Sequence, residues 1–153
     1  MIKITSDEPS HGWLPVTIKY RDIEEVFYAS NIPVDPIIQL SDVLDSAITG
    51  VGGEVWWHLE PGGYYLSITS DRKTFHVSFD YSEDSKAATR ERIFEFDGGF
   101  DQVVVPIWRF LRRIQSKDYD NFMPIEKGME SISREVKLRK GNARGGNGKK
   151  VQA

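Results

Sequence analysis

The chain has 153 residues, which suits one domain with a sizeable core, and it contains no cysteine, so disulfides, thiolate metal sites and cysteine nucleophiles are excluded. Residues 1–123 carry 12 Lys and Arg against 20 Asp and Glu, a net −8, whereas residues 124–153 carry 8 against 3, a net +5. An acidic body repels nucleic acid and attracts cationic partners, although such a charge is also an ordinary way to stay soluble.

The chain carries no sign of a membrane span or a secretion signal. No apolar run approaches the roughly 18 residues that a spanning helix needs. The first ten residues, MIKITSDEPS, lack the basic and then apolar segments of a signal peptide. We therefore expect a cytoplasmic protein.

The N-terminal third predicts strands followed by a helix. Residues 1–12 contain a short candidate edge strand, and Leu14 to Tyr20 and Glu24 to Ser30 alternate well enough for two more, with Val26 and Tyr28 sharing one face. A helix follows. Asp35 is a suitable N-cap, Pro36 suits the first helical position, apolar residues recur at helical spacing, and Gly50 can end the helix.

The segment from Val51 to Tyr81 predicts three antiparallel strands in a row. Glu60-Pro61-Gly62-Gly63 is typical of a type II turn, and a second tight turn is expected at Asp71-Arg72. With these turns Trp57 would lie beside Leu66. Nine large residues then share one face: Val55, Trp57, Leu59, Tyr64, Leu66, Ile68, Phe75, Val77 and Phe79. A one-residue slip would expose the whole set, so this face should form the core.

The opposite face of these strands is the first candidate binding surface. It carries Trp56, His58, Tyr65 and His76 together with small polar residues. The predicted register places Trp56 in a row with His76, and His58 in a row with Tyr65. Aromatic residues dominate interface energetics, so these four residues are candidate contacts. Alternatively, a helix or loop covers them, or they are present only because they favour strands.

The C-terminal half predicts one more strand and a second helix. Arg92 to Asp97 alternates as a sixth strand. Because the residue before a proline avoids the α region, the second helix is expected to begin at Pro106. Its polar side includes Arg109, Arg112 and Arg113, which could grip an acidic ligand or nucleic acid. A charged face of an amphipathic helix is more often simply solvated. Arginines near the C-terminal half of a helix also complement its dipole.

The last 33 residues divide into a helical segment and a tail. Within 121–139, the apolar spacing of Pro124 to Leu138 is compatible with a third helix. Residues 140–153, rich in Gly and Lys, should form a flexible, disordered basic tail. The sequence as a whole predicts an α+β fold in which a single domain over 1–120 has a mainly antiparallel sheet of about six strands with two helices packed on one face.

No catalytic, metal or cofactor site is predicted. The motifs G-x-S-x-G, H-E-x-x-H and G-x-x-x-x-G-K-[ST] do not occur. His58 and His76 fall on strands that are two apart, about 10 Å sideways, with parallel side chains, so a shared metal is not expected. The carboxylates are spread over predicted strands and loops without an acid and base pair.

Four motifs resemble small uncharacterised bacterial cytoplasmic proteins over residues 13–116. They are W-L-P-V from Trp13, A-S-N-I-P-V-D from Ala29, E-P-G from Glu60 and P-I-W-R-F-L-R-R-I from Pro106. The resemblance implies no established activity. Small acidic α+β domains of this kind are also similar, without a shared motif, to immunity proteins that neutralise bacterial toxins.

Three functional hypotheses follow. The first is a non-enzymatic binding protein that occludes a protein partner, such as a toxin. The second is a small-molecule binder or enzyme that uses Trp56, His58, Tyr65 and His76. The third, disfavoured by the acidic body, is association with nucleic acid through the helix arginines and the tail. The sequence does not give the oligomeric state.

Overall fold

The structure, a computed structural model, describes residues 1–84, 86 and 88–147. Within these residues, seven strands and three helices follow one another. They are β1 (Ile2–Ser6), β2 (Trp13–Tyr20), β3 (Ile23–Ser30), α1 (Pro36–Ile48), β4 (Gly52–His58), β5 (Gly63–Ser70), β6 (Phe75–Ser82), β7 (Glu91–Gly98), α2 (Phe100–Lys117) and α3 (Glu126–Asn147). The predicted α+β class is confirmed.

All seven strands form one antiparallel sheet in chain order, β1 to β7. The candidate edge strand at the N-terminus is real, which makes seven strands instead of about six. Because side chains alternate along each strand, one face collects the buried apolar residues, such as Ile18, Trp57 and Phe79, and the helices pack on that inner face. The other, outer face carries the polar set.

The sheet is nearly split between β3 and β4. Only Ser30 and His58 pair across this boundary. Beside the gap, the backbone N–H of Trp56 donates to the side-chain oxygen of Gln39, on α1, at 2.7 Å instead of to a neighbouring strand. The Tyr64 hydroxyl donates to Glu25 at 2.7 Å from the other half of the sheet. Hydrogen bonds to side chains thus replace some of the backbone hydrogen bonds that are missing between β3 and β4.

The sheet also curls around the helices. The ring of Tyr20 at the end of β2 stacks on Phe96 of β7, with centroids 4.2 Å apart, and approaches Phe94 to 5.2 Å. Strands five places apart in the sheet therefore meet on the inner face. The helix α2 contacts both edge strands, β1 and β7.

The predicted separation of faces is correct, but the predicted strand pairs are shifted by two residues. Trp57 lies opposite Tyr64, not Leu66, because the β4–β5 loop spans four residues, 59–62, where a two-residue turn was expected. The β5–β6 loop also has four residues, 71–74, in which the Asp71 carboxylate accepts from two backbone N–H groups. A shift of two leaves every side chain on its face.

The helix α2 begins six residues earlier than predicted. It starts at Phe100, and Pro106 lies inside it. Proline at this position removes one backbone hydrogen bond and crowds the preceding turn. The first two turns nevertheless bury Phe100 and the three consecutive valines 103–105, and the Gln102 side chain accepts from the Gly99 backbone N–H at the start of the helix. Tertiary packing here overrides the local preference of a residue before proline.

The third helix exists and is longer than predicted. The structure places Met129, Ile132 and Val136 of α3 in the common core against α1 and α2. Residues 140–147 belong to this helix, so this part of the expected disordered tail is helical. Residues 148–153 lie outside the described part of the chain. None of the described helices combines the length and the apolar character that crossing a membrane requires.

Asp35 joins the start of α1 to a distant loop. As predicted, it caps the helix: its Oδ1 accepts from the backbone N–H groups of Ile37 at 2.8 Å and Ile38 at 3.4 Å. Its Oδ2 accepts from the Phe122 N–H at 3.0 Å. One carboxylate thus holds both the first turn of α1 and the segment that leads to α3.

We predict that Asp35→Ala lowers the free energy of unfolding by about 2 kcal/mol, because it removes an N-cap and leaves the buried Phe122 N–H without its acceptor. Asp42→Ala is the matched control, since Asp42 lies exposed on the same helix and should change stability by less than about 0.5 kcal/mol. Urea denaturation of both variants measures the difference. Equal stability of the two variants would contradict this role of Asp35.

Candidate functional site

The structure separates the four residues that were predicted to form a binding surface. Trp56 lies opposite Tyr65 on the outer face, and the rings of Trp56 and His58 are 4.3 Å apart. His76 lies opposite Thr69 and Asp97, not beside Trp56. It is four residues along β6 from the position opposite Tyr65, which is about 13 Å. Three of the four residues form a cluster, and His76 is a separate feature.

Tyr65 is buried rather than offered to a partner. It is only 6% exposed because the Arg90 guanidinium lies over its ring, 3.9 Å from the centroid. Arg90 in turn donates to both carboxylate oxygens of Glu54, at 2.7 and 2.9 Å, and Ser67 donates to Glu54 at 2.7 Å. This part of the outer face is thus covered by side chains from its own chain, as one of the alternatives anticipated.

Both histidines of the predicted site are engaged within the protein. The Nδ1 of His58 lies 2.6 Å from the backbone oxygen of Ile32, which requires the proton on Nδ1. His76 contacts the carboxylate of Asp97 through Nδ1. Each ring therefore retains only Nε2 for another partner, and the two rings lie on different rows of the sheet.

The most exposed large apolar side chains of the outer face lie on β3. Val26 is 66% exposed and Tyr28 is 63% exposed, and the sheet pairs them with Thr17 and Pro15 of β2. The prediction that these two share one face is confirmed, but that face is the outer one, while Phe27 and Ala29 enter the core. Because Phe27 and Ala29 alternate with Val26 and Tyr28, either face of β3 could have been taken as buried.

The arginines of α2 divide between two surfaces. All three are exposed, as predicted. Arg109 and Arg113 line a groove beside the edge strand β1, whereas Arg112 lies over the Trp108 ring, 5.1 Å from its centroid, and faces a cleft between α2 and α3. The predicted basic side of this helix is therefore not one continuous patch.

Comparisons with protein-family models, with curated proteins and with solved structures found no match to this chain. The resemblance suggested by the four sequence motifs therefore stays a prediction. Any functional role must rest on the surface and the side chains described above.

The contact between Glu54 and Arg90 should make stability depend on pH. The hydrogen bonds from Arg90 hold the pKa of the Glu54 carboxyl below its ordinary value of 4.5, despite its partial burial. A lowered pKa in the folded state means that the pair stabilises the fold above pH 4.5, and that this contribution is lost as pH falls through the lowered value.

We therefore predict that Glu54→Gln destabilises the protein near pH 7, and that the difference from the wild type shrinks as pH falls below 4.5. Urea denaturation of both proteins at a series of pH values measures this difference in the free energy of unfolding. In NMR titrations the pKa of Glu54 should rise toward 4.5 in Arg90→Ala and stay low in Arg92→Ala, since Arg92 pairs with Asp80 and Glu95 instead. An unchanged Glu54 pKa in Arg90→Ala would refute this assignment.

Proposed function

We propose that this chain is a non-enzymatic binding protein whose outer sheet face, centred on Val26 and Tyr28, contacts a protein partner. The observation that carries the proposal is the exposure of these two large apolar side chains, side by side on one strand. An exposed apolar patch on an otherwise polar surface is typical of an interaction site. Val26, Tyr28 and their cross-strand neighbours Pro15 and Thr17 form this surface, the outer β3 patch.

The packing of the helices supports the choice of this surface. The three helices cover the inner face, and β2 pairs with every residue of β3, so the outer β3 patch is built on a paired strand. Backbone pairing fixes the positions of the side chains before binding, which reduces the entropy lost on association. Ile32 and Val34, in the segment that follows β3, are also exposed.

Charge suggests the chemistry of the partner. Residues 1–123 carry a net −8, so a partner with basic residues around an apolar contact would be attracted and oriented over a distance of several ångströms. A toxin bound by an immunity-type protein is the specific form of this proposal that the sequence resemblance suggests. The proposal itself requires only a protein with that surface.

The alternative predicted from sequence, a small-molecule or catalytic site around Trp56, His58, Tyr65 and His76, has less support. Tyr65 is buried under Arg90, and His76 lies about 13 Å along the sheet from the row that holds Trp56 and Tyr65. Both histidine rings use Nδ1 for contacts within the chain. The outer β3 patch is the better candidate because the side chains of Val26 and Tyr28 remain exposed.

We predict that Val26→Glu weakens partner binding at least tenfold, because it would bury a charge in an apolar contact. Val51→Glu is the matched control: Val51 is also a valine with 66% exposure, but it lies before β4, at the opposite end of that strand from His58. The tagged full chain and both variants would be used to isolate the partner from cells that express it. Affinities would then be measured with the purified partner.

Three results would contradict the proposal. The first is equal binding by both variants. The second is retention of no protein by the wild-type chain. The third is a dimer in analytical ultracentrifugation that Val26→Glu abolishes, since the outer β3 patch would then join two copies of this chain.

A further inference from the structure

A basic groove runs between the edge strand β1 and α2. It has a volume of about 520 Å³. Its described lining includes five Lys and Arg residues and no Asp or Glu: Lys3, Lys19, Arg21, Arg109 and Arg113. Without these five, residues 1–123 have seven basic residues against 20 acidic ones. A groove of one sign in a body of the opposite sign is a departure from the even mixture expected of a surface that serves only solubility.

The fold brings these side chains together from distant parts of the chain. Lys3 and Lys19 are directly opposite each other across β1 and β2, and Lys19 also lies opposite Glu24 of β3. Arg109 and Arg113 are four residues apart on α2, which places them on the same side of the helix, about 6 Å apart along its axis. Among the described residues, no salt bridge within 4 Å neutralises any of the five.

The rest of the lining is largely apolar. Met1, Pro106 and Phe110 contribute to the walls, next to the Ile2 and Ile4 positions of β1. Small-molecule sites typically have volumes of 300–1,000 Å³, with apolar walls and a few placed polar groups. Arginine pairs well with carboxylate and phosphate because its planar group can donate two parallel hydrogen bonds.

We infer that this groove binds a small organic anion with at least two acid groups, carboxylate or phosphate, attached to a compact apolar body. Arg109 and Arg113 hold one acid group from the helix side. Lys3, Lys19 and Arg21 hold the other from the sheet side. Met1, which is 67% exposed, and the half-buried Pro106 contact the apolar part. This site is separate from the outer β3 patch and does not depend on the proposed protein partner.

The alternative is that the basic residues only protect the edge strand, because lysines on an edge strand discourage pairing with the edge of another sheet. That role needs no ligand and predicts no saturable binding. The two roles therefore differ in a direct measurement.

The test is isothermal titration calorimetry of the full chain with three probes: pyrophosphate, citrate and benzene-1,3,5-tricarboxylate. We expect one saturable site, tightest for the aromatic tricarboxylate because it also contacts the apolar walls. Comparison of pyrophosphate with citrate separates phosphate from carboxylate recognition. Raising the salt concentration from 50 to 300 mM should weaken the binding of each probe, because salt screens the attraction between opposite charges.

The double variant Arg109→Gln with Arg113→Gln should weaken binding at least tenfold. The double variant Arg112→Gln with Lys117→Gln removes the same charge from the same helix but outside the groove, and it should change the Kd by less than about twofold at 150 mM salt. Circular dichroism would establish that both variants fold. No saturable binding of any probe at 5 mM, or equal weakening in the two double variants, would overturn the inference.

Discussion

The burial of one sheet face under three helices is the interaction on which the rest of this structure depends. Trp57, Phe75 and Phe79 are fully buried there, and each such side chain contributes roughly 1.5–3 kcal/mol relative to an exposed position. Because strand side chains alternate, commitment of this face to the core determines which residues are left on the other. The outer β3 patch, the Glu54 and Arg90 pair and the basic groove are all consequences of that division.

The sequence correctly predicted which side chains lie on the inner and outer faces of the sheet. It did not predict which residues are neighbours across adjacent strands. Alternation alone places Trp57 inside and Trp56 outside, and this assignment survives any register shift of two residues. The loops after His58 and after Ser70 each have four residues instead of two. The first moved Trp56 opposite Tyr65, and the second left His76 opposite Thr69. A site that depends on cross-strand neighbours therefore needs loop geometry, which the turn motif did not give correctly.

Other features required long-range packing that no local rule contains. Pro106 would end or begin a helix in isolation, yet the valines before it are held in helical form by the core. The choice between the two faces of β3 depends on Phe27 meeting Trp57 and Tyr64 across the split in the sheet. The basic groove joins β1 to a helix about 100 residues later, so sequence inspection found Arg109 and Arg113 but not Lys3, Lys19 or Arg21.

The helices leave the outer face of β3 open to solvent in the free protein. Solvent paramagnetic relaxation enhancement in NMR, with a neutral gadolinium chelate, measures this directly on the methyl groups of valine. We expect strong attenuation for Val26, similar to that of the exposed Val51, and little for the buried Val16 and Val55. Protection of Val26 to the level of Val16 in the monomer would contradict it, because that surface would then already be covered by the chain itself.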